Sequence, residues 1–398
     1  MESTGRDDGV DVDRLRSETP GARRVAHFNN AGASLPPRPV TEACVGHLRR
    51  EAEIGGYEAA AEAEEELEAT YDALARLLGC AREEVALASS ATRAWDMAFY
   101  ALPLGEGDRI LTSRASYASN HLAFLQVARR RGVRVEVVAS DASGQIDVRD
   151  LRSRMDDRVG LVALTHVPTN GGLVNPAAEV GGVARDAGVP YLLDACQSVG
   201  QMPVDVEEIG CDLLSATSRK FLRGPRGMGF LYARRGIARR LEPPFVDLRS
   251  ATWIAADRYE LRDDARRFEE WERSCAVQLG LGAAARYALT VGLAPAWRRI
   301  RRLGRRLREG LSGLSAVTVR DVGRVKCGIV TFSVEGVPAP EVRRRLRERG
   351  VNVSVSPRRS TLLDAEERGL PDLVRASVHY YNTGDEIRTL LRGVSAVA

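Results

Sequence analysis

Lysine is almost missing from this chain of 398 residues: of its 58 basic side chains, only Lys220 and Lys326 are lysines. Arginine can replace lysine almost anywhere on a solvated surface, so this bias leaves little reason to keep a lysine as a mere surface charge. Arginine cannot act as an amine nucleophile, because its guanidinium stays protonated. The scarcity therefore marks the two lysines as candidates for chemistry that needs an amine.

Long apolar runs are also missing. No stretch approaches the roughly 18–20 apolar residues that a membrane helix needs, and the first residues, MESTGRDDGVDVDRLRSE, are too polar for a signal peptide. We therefore expect a cytoplasmic protein without a membrane partner. The six cysteines are scattered and form no C-x-x-C pair, so the sequence predicts neither a metal site nor a redox motif.

A large excess of one charge is absent as well. The 54 acidic side chains nearly balance the basic ones and leave a net charge of +4, which argues against a nucleic-acid partner. The predicted helix over residues 295–312 has a basic face that could bind nucleic acid. Other predicted helices share its arginine bias, so we interpret this face as solvated.

The chain does contain a regular alternation of short apolar runs and helical patterns between about residues 85 and 235. This alternation predicts an α/β fold with a mostly parallel sheet covered by helices on both faces. We expect an N-terminal arm over 1–24, a large domain over 25–285 and a smaller α+β domain over 286–398. In such sheets ligands bind beyond the carboxyl ends of the strands.

Three polar features fall at predicted strand ends. Asp194 ends the apolar run YLLDA, where a bare charge is costly unless a cation meets it. The segment ALASSATRAWDMAF runs from a strand through Ser90 and Thr92 into a helix, and a helix N-terminus can bind phosphate. Lys220 follows another strand in SATSRKF. A strand-end salt bridge remains an alternative for Asp194, and ordinary helix capping remains an alternative for the segment that contains Ser90 and Thr92.

Together these features describe one cofactor, pyridoxal 5′-phosphate. The helix N-terminus would bind its phosphate, Lys220 would bind its aldehyde, and Asp194 would pair with its protonated ring nitrogen. DACQSVG followed by SATSRKFLRGPRGMGFLY resembles the class V branch of the fold-type I pyridoxal-phosphate enzymes, and the resemblance extends from about residue 25 onward. This branch includes cysteine desulfurases, selenocysteine lyases and cysteine-conjugate C–S lyases.

The resemblance implies a role for each cofactor-binding position. Lys220 matches the lysine that holds the cofactor covalently, Asp194 the partner of the ring nitrogen, and Gln197 a donor to the phenolic oxygen. Ala91 and Thr92 match the phosphate-binding turn, and Thr217 and Arg219 match the serine or threonine and the histidine of the S-x-H-K segment. Tyr117 matches the position where an aromatic ring or a histidine stacks on the cofactor.

The resemblance also implies a substrate site and a partner. Arg375 in RASVHYYNTGDE matches the arginine that binds the α-carboxylate of an amino-acid substrate, and Asn30 in HFNNAGASLPP matches a substrate contact in the N-terminal loop. The family implies a homodimer in which one subunit completes the site of the other. The segment FEEWERSCAVQ, residues 268–278, is our candidate for that contribution.

Two departures from the desulfurase pattern bear on function. Thr169 stands where desulfurases carry asparagine and Asn170 follows it, so either could contact the phenolic oxygen. The segment VNVSVSPRRSTLLDAEERG contains no cysteine where a desulfurase carries its persulfide-forming cysteine, and neither Cys275 nor Cys327 is a convincing substitute.

We therefore predict a C–S lyase that converts a cysteine S-conjugate into a thiol, pyruvate and ammonia. Transamination, epimerisation, decarboxylative deamination and cysteine desulfuration or selenocysteine cleavage remain alternatives within the enzyme class. A cofactor-binding scaffold without turnover is an alternative outside it.

Overall fold

The computed structural model describes residues 9–397. Its helices are α1 (Val12–Ser17), α2 (Arg38–Ile54), α3 (Gly56–Glu62), α4 (Glu64–Leu78), α5 (Ala91–Tyr100), α6 (Ala118–Arg131), α7 (Val148–Ser153), α8 (Ala177–Asp186), α9 (Val206–Ile209), α10 (Arg235–Ala238), α11 (Cys275–Val291), α12 (Leu293–Ser312), α13 (Ala339–Glu348), α14 (Leu362–Glu367) and α15 (Gly384–Ser395). Short 3₁₀ helices cover Pro20–Arg23, Arg82–Glu84, Ala265–Phe268 and Arg358–Thr361.

The strands are β1 (Ala26–His27), β2 (Val85–Ala88), β3 (Arg109–Ser113), β4 (Arg134–Val138), β5 (Val159–Thr165), β6 (Tyr191–Asp194), β7 (Leu213–Thr217), β8 (Gly229–Ala233), β9 (Ala251–Ala255), β10 (Arg258–Leu261), β11 (Val317–Val319), β12 (Ile329–Val334), β13 (Val351–Asn352), β14 (Ser354–Ser356) and β15 (Leu373–Ser377).

A seven-stranded sheet forms the centre of the large domain, in the order β2-β8-β7-β6-β5-β3-β4. The five strands from β7 to β4 are parallel, and β8 runs antiparallel to both of its neighbours. The expected mostly parallel sheet is therefore present. Its central strands β6 and β7 are fully buried, as their nearly continuous apolar sequences require.

A four-stranded antiparallel sheet, ordered β11-β12-β15-β14, forms the smaller C-terminal domain. Helices α12, α13 and α15 bury apolar faces in the same core. The predicted capping box begins α15, since Thr383 Oγ1 accepts from Glu386 N at 3.2 Å and Glu386 Oε2 accepts from Thr383 N at 3.0 Å.

The N-terminal region differs from the predicted arm. Val10 and Leu15 are buried in the core of the small domain, and β1 pairs in parallel with β13 of that domain. Residues 10–28 therefore pack with the C-terminal domain, although the expectation assigned 1–24 to an arm and 25 onward to the large domain. The reason is that the few apolar side chains of this polar stretch are buried in a core that forms only when the distant segments of the small domain fold together.

The predicted domain boundary at residue 285 also lies inside a continuous helix. Helix α11 packs along α2 and α4 of the large domain, while Tyr287 and Val291 near its end contact the small core. The helix thus joins the two cores and places the small domain beside the carboxyl edge of the large sheet. No described helix is long and apolar enough to cross a bilayer.

Candidate active site

The site lies at the carboxyl edge of the central sheet. Thr165, Asp194 and Thr217 are the last residues of the neighbouring parallel strands β5, β6 and β7. Parallel strands that end together present their following loops to one crevice. The structure therefore brings together two of the predicted site residues, Asp194 and Thr217, and adds Thr165.

Asp194 is buried, with 4% of its surface exposed. Its Oδ1 accepts from Cys196 N at 3.0 Å, and its Oδ2 accepts from Asn120 Nδ2 at 2.8 Å. Two donors hold the carboxylate in one orientation, and a carboxylate with about four lone-pair sites can accept a further hydrogen bond from a ring N–H. Asn120 was missed from the sequence, although it lies in the first turn of α6, directly after the loop that carries Tyr117.

Lys220 lies in the loop that follows β7, and its Nζ is 6.0 Å from the ring centroid of Tyr117. Burial lowers the pKa of the Lys220 amine, and the charges of Arg219 and Arg375 lower it further, while Cys196 and Asp194 oppose the shift. A lowered pKa favours the neutral amine, which is the form that attacks a carbonyl.

The other lysine lies elsewhere. Lys326 belongs to the loop before β12 in the small domain, and its Nζ donates to Gly323 O at 2.7 Å. A backbone carbonyl satisfies this amine, and its neighbours are loop residues. The two lysines thus differ in setting, and only Lys220 lies among the residues at the carboxyl edge of the sheet.

The turn that begins α5 has the form of an anion cradle. Ser90 caps the helix, since its Oγ accepts from Arg93 N at 3.1 Å, and the first-turn N–H groups of Ala91 and Thr92 have no intrahelical acceptors. Thr217 pairs with Gly229 on β8, and a Cβ on Gly229 would collide with the backbone nitrogen of Ala91. Glycine thus lets β8 approach the turn and brings Thr217 beside it, which suits a phosphate.

Arg375 reaches the site from β15 of the small domain. Its Nη1 donates to Thr169 Oγ1 at 2.6 Å and to Thr169 O at 3.1 Å, while its buried Nε has no partner among the described residues. Burial lowers the Arg375 pKa to about 10, so the guanidinium remains charged at neutral pH. An unpaired buried N–H on a cation fits an anionic group such as a carboxylate.

Gln197 lies beneath the N-terminal loop, and its Nε2 donates to Ala31 O at 3.1 Å and to Thr169 Oγ1 at 3.4 Å. Its Oε1 is buried without a partner. A phenolic oxygen would need the donor Nε2, which is bonded to Ala31 O here. The buried Asp194 carboxylate, the Lys220 amine and the free cradle at α5 fit pyridoxal phosphate, and the unpaired N–H of Arg375 fits the carboxylate of an amino-acid substrate.

Thr169 and Asn170, the two candidates for the contact to the phenolic oxygen, have different partners in the structure. Thr169 touches Gln197 and Arg375, as described above. Asn170 instead holds the small domain, since its Nδ2 donates to Thr361 Oγ1 at 2.8 Å and to Pro357 O at 3.2 Å. Thr169 is therefore the one that lies among the site residues.

The N-terminal loop covers the site, but Asn30 does not face it. Asn30 is fully buried; its Nδ2 donates to Ser377 O at 2.7 Å and its Oδ1 accepts from Tyr381 Oη. The same loop meets Arg219, whose guanidinium donates to Gly32 O. The side chain predicted to contact substrate is thus bound to the small domain.

The cysteines provide no exposed nucleophile. Burial raises the pKa of the fully buried Cys327 to about 12 and also raises the pKa of Cys275. Cys196, two residues after Asp194, is the cysteine in the site itself, and burial and the Asp194 charge raise its pKa well above its usual value. Each thiol therefore stays protonated, which makes it a poor nucleophile.

The chain resembles known proteins over nearly its whole length. Residues 26–390 match the Aminotransferase class-V family. The chain is 31% identical to a probable cysteine desulfurase of Xylella fastidiosa, across 97% of this chain and 95% of that protein. It is 29% identical to one of Methanothermobacter thermautotrophicus, across 96% and 97%.

Solved structures of similar proteins share the fold of this chain. The apo cysteine desulfurase of Thermococcus onnurineus NA1 superimposes with a TM-score of 0.89 at 28% identity, covering 97% of both chains. The cystine C-S lyase C-DES, in complex with its reaction product cysteine persulfide, gives a TM-score of 0.85 at 24% identity, covering 95% of this chain and 99% of that one; at this identity the match shows the shared fold. The expected fold-type I architecture is confirmed, and this chain belongs to the class V aminotransferase family as an enzyme that depends on pyridoxal phosphate.

Proposed function

We propose that this enzyme is a C–S lyase that eliminates a thiol from the β-carbon of a cysteine S-conjugate. The observation that carries the proposal is the segment over residues 351–369, which lies beside Asn170 and contains no cysteine. The raised pKa values of Cys196, Cys275 and Cys327 support it. β-Elimination needs no protein thiol.

The proposed roles of the residues follow from their positions. Arg375 binds the α-carboxylate of the substrate through its free Nε–H, and Thr169 orients the guanidinium. Ala91, Thr92 and Thr217 would hold the cofactor phosphate, with a contribution from Arg219, and Tyr117 would contact the cofactor ring. Asp194 accepts a hydrogen bond from the ring nitrogen.

Bound pyridoxal phosphate supplies the carbonyl that joins the substrate amine and a ring that withdraws electrons from the α-carbon. Lys220, with its lowered pKa, takes the proton from the α-carbon as a general base. The electron pair of that C–H bond forms the Cα–Cβ double bond, and the Cβ–S bond breaks with its electrons on sulfur. The released enamine takes up water to give pyruvate and ammonia.

Cysteine desulfuration is the second candidate, because the curated relatives at 29–31% identity are named probable cysteine desulfurases. Desulfuration of cysteine needs a protein thiolate to attack the substrate sulfur. A protonated thiol provides little thiolate, and the hydroxyls of Ser356, Ser360 and Thr361 are far poorer nucleophiles towards sulfur at neutral pH.

A panel of cysteine S-conjugates, including cystine, separates the two candidates. We expect equimolar pyruvate and thiol from at least one conjugate, with little sulfide or persulfide from free cysteine. Alkylation followed by mass mapping measures protein persulfide. Rapid formation of a persulfide on Cys196, Cys275 or Cys327 would replace the lyase with a desulfurase.

A further inference from the structure

Arg223 is a buried cation that the proposed reaction does not use. Only 1% of its surface is exposed, and within residues 9–397 no carboxylate forms an ion pair with it. It is also the one non-glycine residue of the described chain in the left-handed region, with φ of 64°. Burial of a charge and a left-handed backbone both oppose folding, so the contacts of Arg223 have to compensate.

The guanidinium binds three separate segments. Its Nη2 donates to Thr19 Oγ1 at 2.6 Å, its Nε to Leu35 O at 2.9 Å, and its Nη1 to Tyr380 Oη at 3.0 Å. Thr19 and Leu35 come from the N-terminal region, and Tyr380 follows β15 of the small domain. One side chain thus bridges the large domain, the small domain and the N-terminal region.

Tyrosine rings complete the surroundings of the charge. The guanidinium carbon lies 4.5 Å from the ring centroid of Tyr381, 5.3 Å from that of Tyr380 and 5.5 Å from that of Tyr287. These distances lie within the range of attractive cation–π contacts, which strengthen when the cation is desolvated. A cation held by rings and neutral acceptors suits arginine, whose planar fork a lysine cannot reproduce.

The backbone of Arg223 belongs to the turn that carries Lys220. Arg223 N donates to Lys220 O at 2.9 Å, and Gly224 N donates to Ser218 O at 2.8 Å. The turn is therefore closed on itself. An anchor on the Arg223 side chain consequently restrains the position of the Lys220 backbone.

The segment that Arg223 anchors also covers the cofactor site. Ala31 O accepts from Gln197 Nε2 at 3.1 Å, and Ser34 N donates to Arg219 O at 2.9 Å. Leu35, which Arg223 binds, is the next residue. Residues 31–35, which we name the N-terminal cover, are thus fixed at one end by Arg223.

We propose that Arg223 is a positioning residue, which ties the N-terminal cover to the Lys220 turn and thereby retains the cofactor and orients the Lys220 amine. The proposal rests on the proposed function only in the assignment of Lys220 as the covalent cofactor lysine. A residue that merely filled the core would be replaced by an apolar side chain of similar length with little harm, because a buried charge is seldom the most stabilising choice.

The test compares purified holoenzymes of Arg223→Met, Arg223→Lys and the wild type. Cofactor release is followed as loss of protein-bound visible absorbance during dialysis, and exposure of the N-terminal region as tryptic cleavage at Arg23 and Arg24. We expect both Arg223 variants to release cofactor roughly tenfold faster, equivalent to about 1.4 kcal/mol, and to be cleaved sooner. If Arg223→Met does not fold, Arg223→Lys carries the same test.

Arg308→Met is the matched control. Arg308 is a largely buried arginine of the small domain that pairs with Asp321 at 2.7 Å, so its loss lowers the free energy of unfolding without touching the Lys220 turn. We expect this control to release cofactor at the wild-type rate. Wild-type release from a folded Arg223 variant, or equally fast release from the Arg308 control, would overturn the proposal.

Borohydride reduction of the wild-type holoenzyme separates this proposal from the assignment on which it rests. A pyridoxyl group at Lys220 with wild-type release from the Arg223 variants removes the positioning role and leaves the proposed function intact. A pyridoxyl group at Lys326 removes the assignment of Lys220 and the positioning role with it.

Discussion

At the scale of single residues, Asp194 shows how the fold prepares a polar group before any ligand binds. Asn120 Nδ2 from helix α6 and the backbone N–H of Cys196 from the loop after β6 hold its two oxygens. The carboxylate therefore does not have to reorganise to meet a ring nitrogen, and fixed charges of this kind contribute strongly to catalysis in sites from which water is excluded.

We expect Asp194→Asn to slow turnover on the order of 10³-fold, equivalent to about 4 kcal/mol. The substitution removes the negative charge that stabilises a protonated ring nitrogen, while Lys220 and the α5 cradle still bind the cofactor. Steady-state kinetics on holoenzyme with measured cofactor content check this expectation. Asn120→Ala is the control and should cause a smaller loss, and near-wild-type turnover of Asp194→Asn would assign the ring nitrogen to another residue.

Some residues of the candidate site could be selected from sequence because their chemistry or motif is local. Lys220 is distinguished by the scarcity of lysine, and Asp194 by a charge at the end of an apolar strand. Asn120 and Arg223 could not, because an asparagine in a helix and one arginine among 56 gain meaning only from distant partners. The sequence also could not show that the Asn30 side chain bonds to Ser377 and Tyr381 of the small domain.

At the scale of elements, the β9–β10 hairpin leaves an aromatic face open. Trp253 pairs directly with Tyr259 across the two strands, and Trp271 N donates to Asp247 Oδ2 at 2.7 Å, which brings the following segment alongside. Trp253 is 74% exposed, Leu248 72% and Trp271 53%. Large exposed apolar groups in one region are typical of a protein interface.

We propose that this aromatic face, formed by Leu248, Trp253, Tyr259 and Trp271, contacts a second copy of the chain. The aromatic side chains would be buried in the homodimer that the family resemblance implies, and Trp271 lies in the candidate segment over 268–278. Glu270, which directly precedes Trp271, forms an ion pair at 3.5 Å with Arg93 in the first turn of α5. The face thus adjoins the phosphate turn, which suits a partner that completes the site.

We expect the wild type to sediment as a dimer and Trp253→Asp as a monomer, because a buried unpaired carboxylate is costly at an apolar interface. Sedimentation velocity at several concentrations measures the change. Leu125→Asp on α6 is the control, since Leu125 is also exposed, at 50%, but lies away from the hairpin. A wild-type monomer, or equal dissociation by both variants, would contradict the assigned face.

The elements themselves were largely predictable, since apolar runs mark the seven strands of the large sheet and hydrophobic periodicity marks α12. The packing of residues 10–28 against the small domain was not predictable from the sequence. Their few apolar side chains carry a weak local signal, and their burial depends on a core assembled from the far end of the chain.

At the scale of the whole molecule, buried histidines lie where the segments meet. His379 Nε2 donates to Phe221 O at 2.9 Å, which links the small domain to the loop of Lys220. His27 Nε2 donates to Ala33 O at 2.9 Å in the N-terminal region. Burial lowers the pKa of both imidazoles, so their protonation opposes the folded state.

We expect the free energy of unfolding to fall as the pH drops from about 6.5 towards 4. Burial lowers the pKa of His166 to about 4 from 6.5, so between these values the unfolded chain binds more protons than the folded chain and acid favours unfolding. His166 alone would contribute about 3 kcal/mol across this range. Urea unfolding at neutral pH and at about pH 5 measures the effect, and His166→Asn should lessen it; an unchanged pH dependence in the variant would contradict the assignment.

The scarcity of lysine has a practical consequence. Side-chain amines occur at only two positions, and one of them, Lys326, is satisfied by the Gly323 carbonyl. An amine-selective reagent that enters the active site would therefore modify a single side chain there, and cofactor bound to Lys220 would block it. Because bound cofactor blocks the reaction, the yield of that one adduct would report the fraction of enzyme that lacks its cofactor, and Lys326 is the one other side-chain amine that could contribute background.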